Sequence, residues 1–289
     1  MNAALEKTEQ IKTVFLDTQL FYAKHTGMPA LIGYLENTAP EFRSIAYESA
    51  SMAIALADLE AGSFPAQWVL FANGPACLHK PQVYIGLGWA IAKTGLCFLT
   101  AIAKLHAAFY YRIADGCGYY DGSFKRRHTV INKELPAYLP PAALPMYDQG
   151  IGRSIWYTEK AAVHNISNRI ETFAPDRHAD LWRGVGTAVA YVGGCHDEEL
   201  ETLFQYAASN SYQLTCGAAL AARSRTMANT MTADTDRCGR LWFALTANHT
   251  HALDLIREHI SGITDEEKYA DWIKKIEQRL ATSFAVVPA

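Results

Sequence analysis

The sequence has little charge, no dominant sign of charge and almost no alternation of polar with apolar residues. Charged residues make up 19% of the 289 positions, against about a quarter in typical globular proteins. Because 26 basic residues nearly balance 29 acidic ones, no broad field attracts nucleic acid, and no such partner is expected. The missing alternation predicts very little β-strand. Half of the residues are hydrophobic, which is enough for a large core.

Cysteine is scarce and scattered. None of the six cysteines forms a C-x-x-C pair or has zinc-finger spacing. A chain of this size does not need disulfide bonds, so reduced thiols and a cytoplasmic location are expected. The polar N-terminus does not resemble a secretory signal. Short ligand-like pieces lack a metal-binding spacing, so no metal is expected; they are Asp176 to Asp180, Cys195 to Asp197 and His249 to His251.

No apolar run is both long enough and free enough of charge to predict a membrane span. The stretch from Tyr84 to Ala103 comes nearest, but Lys93 lies near its centre. A lysine at that depth costs roughly 3 kcal/mol on insertion scales. Two buried helices that are broken near Gly95 are therefore the preferred interpretation.

Helical periodicity predicts one all-α domain over residues 1–289. Four prolines between 134 and 146 predict a stiff connection, and 114–146 as a whole is expected to be its least regular part. The last predicted helix starts at a capping box, Thr264 to Glu267, and has an apolar face from Tyr269 to Leu280. The other predicted helices cover about 3–25, 41–60, 82–93, 96–113, 148–158, 160–173, 177–192, 197–230, 235–247 and 250–260.

A phrase of the form small-x-small recurs along the chain. Its first positions are separated by 37, 30, 34, 34 and 33 residues, a period near 34 that is typical of helix-pair repeats. Glycine costs a helix about 1 kcal/mol relative to alanine, so paired glycines indicate that backbones meet there or that a helix begins there. Stacked helix pairs predict an α/α toroid or, as second choice, an open α-solenoid. The phrases begin at Ser49, Gly86, Gly116, Gly150, Gly184 and Gly217.

These glycine phrases are not predicted to bind phosphate. None follows a predicted strand, the third glycine of a dinucleotide fingerprint is missing, and no G-K-S/T follows. No nucleotide and no other cofactor is expected.

Polar and aromatic residues gather beside the phrases, Glu48 next to the first among them. If the phrases mark equivalent helix ends, these side chains converge on one cavity. A carboxylic acid in aromatic surroundings has a raised pKa and can donate a proton, and aromatic faces stabilise a cation. The candidate acids are Asp121 and Asp115, with Asp148 and Arg153 to position them. The candidate substrate-binding residues are Tyr84, Trp89, Tyr119, Tyr120, Tyr147, Trp156, Asp180, Trp182 and Arg183.

Purely structural roles also suit several of these residues. Asp115 and Asp148 stand where an aspartate would cap a helix N-terminus. Asp180 and Arg183 have the i, i+3 spacing of a helical ion pair. Asp121 lies in a glycine-rich Tyr-Tyr-Asp-Gly stretch that predicts a turn, for which no helix role is apparent.

Residues 45–225 resemble the UnbL-type family, which is found in enediyne biosynthetic gene clusters of bacteria. The resemblance implies a role in making a specialised metabolite, a polyketide or related hydrophobic product, and it assigns no catalytic residue. Glu48-Ser-Ala-Ser departs from the Glu-Gly-x-Gly form expected at the first phrase. Four phrases carry the resemblance in order: Tyr-Ile-Gly-Leu-Gly-Trp-Ala (84–90), Asp-Gly-Cys-Gly-Tyr-Tyr-Asp-Gly-Ser-Phe (115–124), Tyr-Asp-Gln-Gly-Ile-Gly-Arg-Ser-Ile-Trp-Tyr (147–157) and Asp-Leu-Trp-Arg-Gly-Val-Gly-Thr-Ala-Val-Ala-Tyr-Val-Gly-Gly (180–194).

Two functional hypotheses follow. The first is a biosynthetic enzyme that cyclises or rearranges a hydrophobic, unsaturated small molecule by proton donation, without a redox cofactor. The second is a non-catalytic helical-repeat protein that scaffolds other pathway enzymes or holds an intermediate. An enclosed cavity favours the enzyme, and an open concave face favours the scaffold.

Overall fold

The computed structural model describes residues 3–25, 27–105 and 110–247, and every regular element in these ranges is helical. The prediction of an all-α protein is therefore confirmed for this part of the chain. The α-helices are α1 (Ala3–Lys24), α2 (Met28–Asn37), α3 (Pro40–Glu60), α4 (Ala66–Asn73), α5 (Lys80–Thr94), α6 (Phe98–Ile102), α7 (Tyr110–Phe124), α8 (Leu144–Thr158), α9 (Val163–Glu171), α10 (Pro175–Val192), α11 (Asp197–Ala207), α12 (Ser211–Met227) and α13 (Ala233–Ala247).

Six long helices, which we call the central helices, form the core of the fold: α3, α5, α7, α8, α10 and α12. Each makes its most extensive contacts with its neighbours in this series. Shorter helices connect them, except that α7 leads to α8 through a π-helical turn, Arg127–Ile131, and an irregular stretch that includes a 3-10 turn, Pro141–Ala143. Long and short helices thus alternate along most of the described chain, as a helix-pair repeat predicts.

Neighbouring central helices run in the same direction. Gly217 of α12 lies against Arg183 of α10. Eight residues further along both helices, Arg225 donates to the carbonyl oxygen of Tyr191. Because the contacting residues advance in the same direction along both helices, α10 and α12 are parallel.

The paired glycines let these helices meet backbone to backbone. A Cβ atom on Gly150 would lie 2.9 Å from the carbonyl carbon of Asp115 in the preceding central helix, and a Cβ on Gly152 would lie 2.8 Å from that of Leu181 in the following one. In an α-helix of 3.6 residues per turn, positions i and i+2 are about 200° apart, so the two glycines face opposite neighbours. The same division holds for Gly86 and Gly88, Gly116 and Gly118, and Gly184 and Gly186.

Most predicted helices are confirmed to within a few residues, but three predictions are wrong in detail. The helix predicted at 96–113 is replaced by α6 and by α7, which starts at Tyr110 and continues to Phe124. Residues 115–124 are therefore helical, and neither Asp115 nor Asp148 is an N-cap. The helix predicted at 197–230 divides into α11 and α12.

The helices predicted at 250–260 and after Thr264 lie outside the described residues. No helix within the described ranges combines the length and the apolar character that crossing a membrane requires.

Candidate active site

A small cavity lies where the six central helices converge. It is bounded by the N-terminal halves of α3, α5 and α7 and by the C-terminal halves of α8, α10 and α12. The space open to the centre of a water molecule is about 20 Å³, enough for one or two waters or a group of that size. The lining residues are Ile45, Gln82, Ile85, Arg112, Arg153, Tyr157, Thr187, Ala188, Tyr191 and Ser224.

Asp115 joins two of these helices through its carboxylate, which is fully buried. Gln149 Nε2 donates to one carboxylate oxygen at 2.7 Å, and Arg153 Nη1 donates to the other at 2.8 Å. Arg112 Nη1 lies 3.7 Å from the same carboxylate, and Arg112 Nη2 donates to Ser224 Oγ at 3.1 Å. Asp115 therefore holds two cavity-lining guanidinium groups in place.

Glu48 is the second buried acid of this cluster. It lies on α3 with 3% of its surface exposed. Burial raises the pKa of Glu48 to about 7, while Arg153 opposes the rise and Asp115 adds to it. Near neutral pH this carboxyl group can both release and accept a proton.

Arg153 stays charged in this environment. Burial lowers the pKa of Arg153, but Asp115 and Glu48 outweigh that effect and the net shift is upward. The guanidinium carbon lies 4.8 Å from the centre of the Tyr119 ring, and that ring is 5.0 Å from the ring of Trp89. The structure thus brings together four predicted site residues, Asp115, Arg153, Tyr119 and Trp89.

Asp121 belongs to a different cluster. Its Oδ2 accepts hydrogen bonds from the hydroxyl groups of Tyr138 at 2.7 Å and Tyr147 at 3.1 Å, and its Oδ1 lies 2.8 Å from Lys125 Nζ. Burial, with the charge of Asp121, raises the pKa of Tyr147. The ammonium group of Lys125 also lies 5.6 Å from the centre of the Tyr120 ring. This cluster fixes the irregular connection before α8, through Tyr138, against α7.

Asp148 and Asp180 form ion pairs of their own. Asp148 Oδ2 accepts from Arg177 Nε at 2.8 Å, and Arg177 Nη2 donates to its other oxygen. Burial raises the pKa of Asp148 although Arg177 opposes the rise. Asp180 pairs with Arg183 at the predicted i, i+3 spacing. Among the described residues, neither Asp148 nor Asp180 is found in contact with Arg153.

The remaining predicted aromatic residues pack in the core and do not line the cavity. Trp156 and Trp182 are almost completely buried. Tyr84 packs edge-on against Trp68, with ring centres 5.0 Å apart. Their burial reflects helix packing.

Four residues of this site are not among the candidates that the sequence predicts. Glu48 stands beside the first phrase but is not one of the predicted acids, and Arg112 is not a predicted site residue. The signal for Arg112 is its i, i+3 spacing to Asp115, and the signal for Glu48 is its position one residue before a phrase. Tyr157 and Tyr191 carry no local signal.

No group of three or more His, Cys, Asp or Glu side chains in the described ranges could hold a metal ion.

Comparison with known proteins gives a family but no activity. No curated protein and no solved structure matches the chain. A protein family described as "Protein of unknown function (DUF1702)" matches residues 1–280. Since the match covers nearly the whole sequence, the chain belongs to the DUF1702 family.

Proposed function

We propose that the protein is an enzyme of bacterial specialised metabolism that rearranges or cyclises a hydrophobic, unsaturated intermediate by proton transfer. The observation that carries this proposal is Glu48, a buried carboxyl group whose pKa is raised to about 7 beside two buried guanidinium groups. Perturbed pKa values of this kind are concentrated at functional sites.

In this proposal Glu48 is the proton donor and acceptor, in place of Asp121 or Asp115. A proton passes from the carboxyl group to the substrate and a second proton returns from a neighbouring carbon, so the product is an isomer and Glu48 is regenerated. Glu48 does not line the cavity, and we assign the transfer to two tyrosines that do, Tyr157 and Tyr191, both of which interact electrostatically with Glu48.

Arg112 and Arg153 are assigned to holding a polar or negatively charged group of the substrate. Both guanidinium groups line the cavity and are held by Asp115. Charged donors that are fixed before the substrate arrives hold such a group with little reorganisation. Asp115 is therefore a positioning residue in this scheme.

We also propose that the central helices close into a ring, as in an α/α toroid. One cavity is lined by all six of them, which supports closure. Contacts between the ends of the series give further support: Arg225 of α12 donates to the carbonyl oxygen of Glu41 in α3.

A second candidate function is non-catalytic, namely the binding of an intermediate or the scaffolding of pathway enzymes. The small size of the cavity favours scaffolding, because space for one or two waters does not hold a whole hydrophobic intermediate. On the catalytic proposal, one polar group of the substrate enters the cavity and the rest lies outside it.

Metabolite profiling separates the two candidates. A bacterial host that carries the pathway would be compared as wild type, as a deletion of this gene, and with the deletion complemented by Glu48→Gln. The amide keeps the size of the side chain and removes its acid. If the protein is a proton-transfer enzyme, the deletion and Glu48→Gln accumulate the same precursor, whose structure identifies the substrate.

Two further strains make the result specific. Glu60→Gln alters an exposed glutamate at the end of the same helix and should restore the product. The double variant Asp115→Asn/Asp121→Asn tests the acids that the sequence predicted. Full restoration of the product by soluble, helical Glu48→Gln would refute the catalytic role and favour the binding or scaffolding protein.

A further inference from the structure

The central cavity has the charge and the size of a receptor for one carboxylate group. Two cationic side chains line it, Arg112 with 1% and Arg153 with 9% of their surface exposed. Asp115 lies close to both arginines, and its carboxylate already accepts hydrogen bonds from Gln149 and Arg153. Planar guanidinium groups suit carboxylates because their N–H donors match the two oxygens.

The charge of the cluster depends on Glu48. Arg112 and Arg153 carry two positive charges, and Asp115 supplies one negative charge. Since burial raises the pKa of Glu48 to about 7, its carboxyl group is neutral below that pH and the cluster then has one excess positive charge. A buried excess charge is costly, and an anion in the cavity would neutralise it.

Among the described residues, Asp115 is the acid that acts on Glu48 most strongly. On its own side of the cavity are Arg112, Asp115 and Tyr119 of α7. From the helices that follow, Arg153 and Tyr157 of α8 and Tyr191 of α10 interact with it, and Trp89 of α5 also lies beside it. A further buried cation, Arg225 of α12, lies 4.1 Å from the centre of the Tyr191 ring and acts on both Tyr191 and Tyr157, so it adds to the positive charge that favours an anion in the cavity.

The side-chain amide of Gln82 in the cavity wall also indicates a ligand. Gln82 is 4% exposed and lines the cavity, and its Oε1 accepts no hydrogen bond from any of the described residues. A buried amide oxygen normally has a donor. A ligand that brings a hydroxyl or N–H group next to its carboxylate would supply one.

We infer that the cavity binds the carboxylate group of a small organic acid between Arg112 and Arg153, and that Glu48 takes up one proton when the anion binds. This deepens the proposed function, since it gives the substrate an acidic head group, but binding can be measured without turnover. The available space matches a single carboxylate, with any larger part of the ligand outside it.

The test uses formate and acetate as probes, with acetamide as the uncharged analogue of acetate. Isothermal titration of the purified full chain would be run from pH 6 to 9 in buffers with different ionisation enthalpies. Because binding requires protonated Glu48, the Kd for acetate should rise about tenfold per pH unit above pH 7, and proton uptake should increase from almost none at pH 6 to one per anion at pH 9. In Glu48→Gln, which cannot lose the proton, binding should be independent of pH and without proton uptake.

Arginine variants locate the site. Arg153→Gln should weaken acetate binding at least tenfold, whereas Arg240→Gln, which alters an exposed arginine on α13, should leave it unchanged. Circular dichroism would establish that each variant is folded. Equal affinity at pH 6 and pH 9 in the wild type, acetamide binding as tightly as acetate, or no binding of either anion at 100 mM would each overturn the inference. Failure of this test would leave Glu48 as an acid acting on an uncharged substrate, which the metabolite experiment tests separately.

Discussion

Replacing Gly152 by alanine tests whether backbone contact between central helices limits the stability of the fold. The added Cβ would lie 2.8 Å from the carbonyl carbon of Leu181 and closer still to its oxygen. Carbon atoms in contact are normally about 3.5–4.0 Å apart, so α8 and α10 would have to separate by roughly 1 Å.

The expected magnitude follows from two opposing effects. Alanine is favoured over glycine inside a helix by about 1 kcal/mol. Overpacking a rigid contact costs about 1–3 kcal/mol and occasionally more, and here the obstacle is backbone that cannot change rotamer. Because α8 is also bound to α7 through Gly150, movement away from α10 disturbs a second contact. We expect a net loss of about 2–4 kcal/mol in the free energy of unfolding for Gly152→Ala.

Urea denaturation followed by circular dichroism at 222 nm would measure this loss. Gly33→Ala is the matched control, since Gly33 is an exposed glycine inside α2 and a Cβ there meets no atom within 4 Å. That substitution should stabilise the protein by about 0.4–1 kcal/mol. If Gly152→Ala proved as stable as Gly33→Ala, the idea that glycines bring these helices into contact would be refuted.

Three further predictions concern buried charge. Burial raises the pKa of Glu48 from 4.5 to about 7, so its stabilising contribution is complete below about pH 4.5 and is lost as pH rises through 7. Glu48→Gln should therefore remove about 2.5 kcal/mol of the fall in unfolding free energy between pH 5 and 8. Burial lowers the pKa of His79 from 6.5 to about 4, so the contribution of neutral His79 to stability is present above pH 6.5 and is lost toward pH 4. In urea denaturation at a series of pH values, His79→Gln should reduce the fall in unfolding free energy between pH 6.5 and 4 by about 2–3 kcal/mol. Arg177→Leu removes the partner of buried Asp148 and should lower the unfolding free energy by about 3 kcal/mol at pH 7 in the same assay. The exposed Arg240→Leu should lower it by less than about 0.5 kcal/mol. Equal losses in the two variants would contradict a stabilising role for the buried Asp148–Arg177 pair.

The sequence indicated where helices meet, with a helix start as the alternative, because a glycine inside a helix is a local signal. A glycine inside a helix is a cost that only close packing offsets, and the predicted approach of backbones is found at Gly86, Gly116, Gly150 and Gly184. The conformation of residues 115–124 could not be predicted in the same way. Three glycines in that stretch favour a turn by local propensity, but contacts with α5 and α8 stabilise a helix there.

The site was predictable only where the repeat itself placed its residues. Gln149 follows Asp115 by 34 residues, one period, and the two are hydrogen-bonded. The partner of Asp148 is Arg177, which belongs to no phrase, so the repeat gave no reason to connect them. The raised pKa of Glu48 depends on burial by several helices at once, which no spacing in the sequence encodes.

In α5, α7, α8 and α10 one glycine contacts the preceding helix and the other contacts the following helix, so each of these helices has the same two types of interface. Gly150 and Gly152 use the same kind of join on opposite faces of α8, and the helices before and after it repeat the arrangement. Gain or loss of one unit by gene duplication or deletion would therefore create no new type of interface. It would change the number of helices in the series, and with it the set of residues that line the cavity.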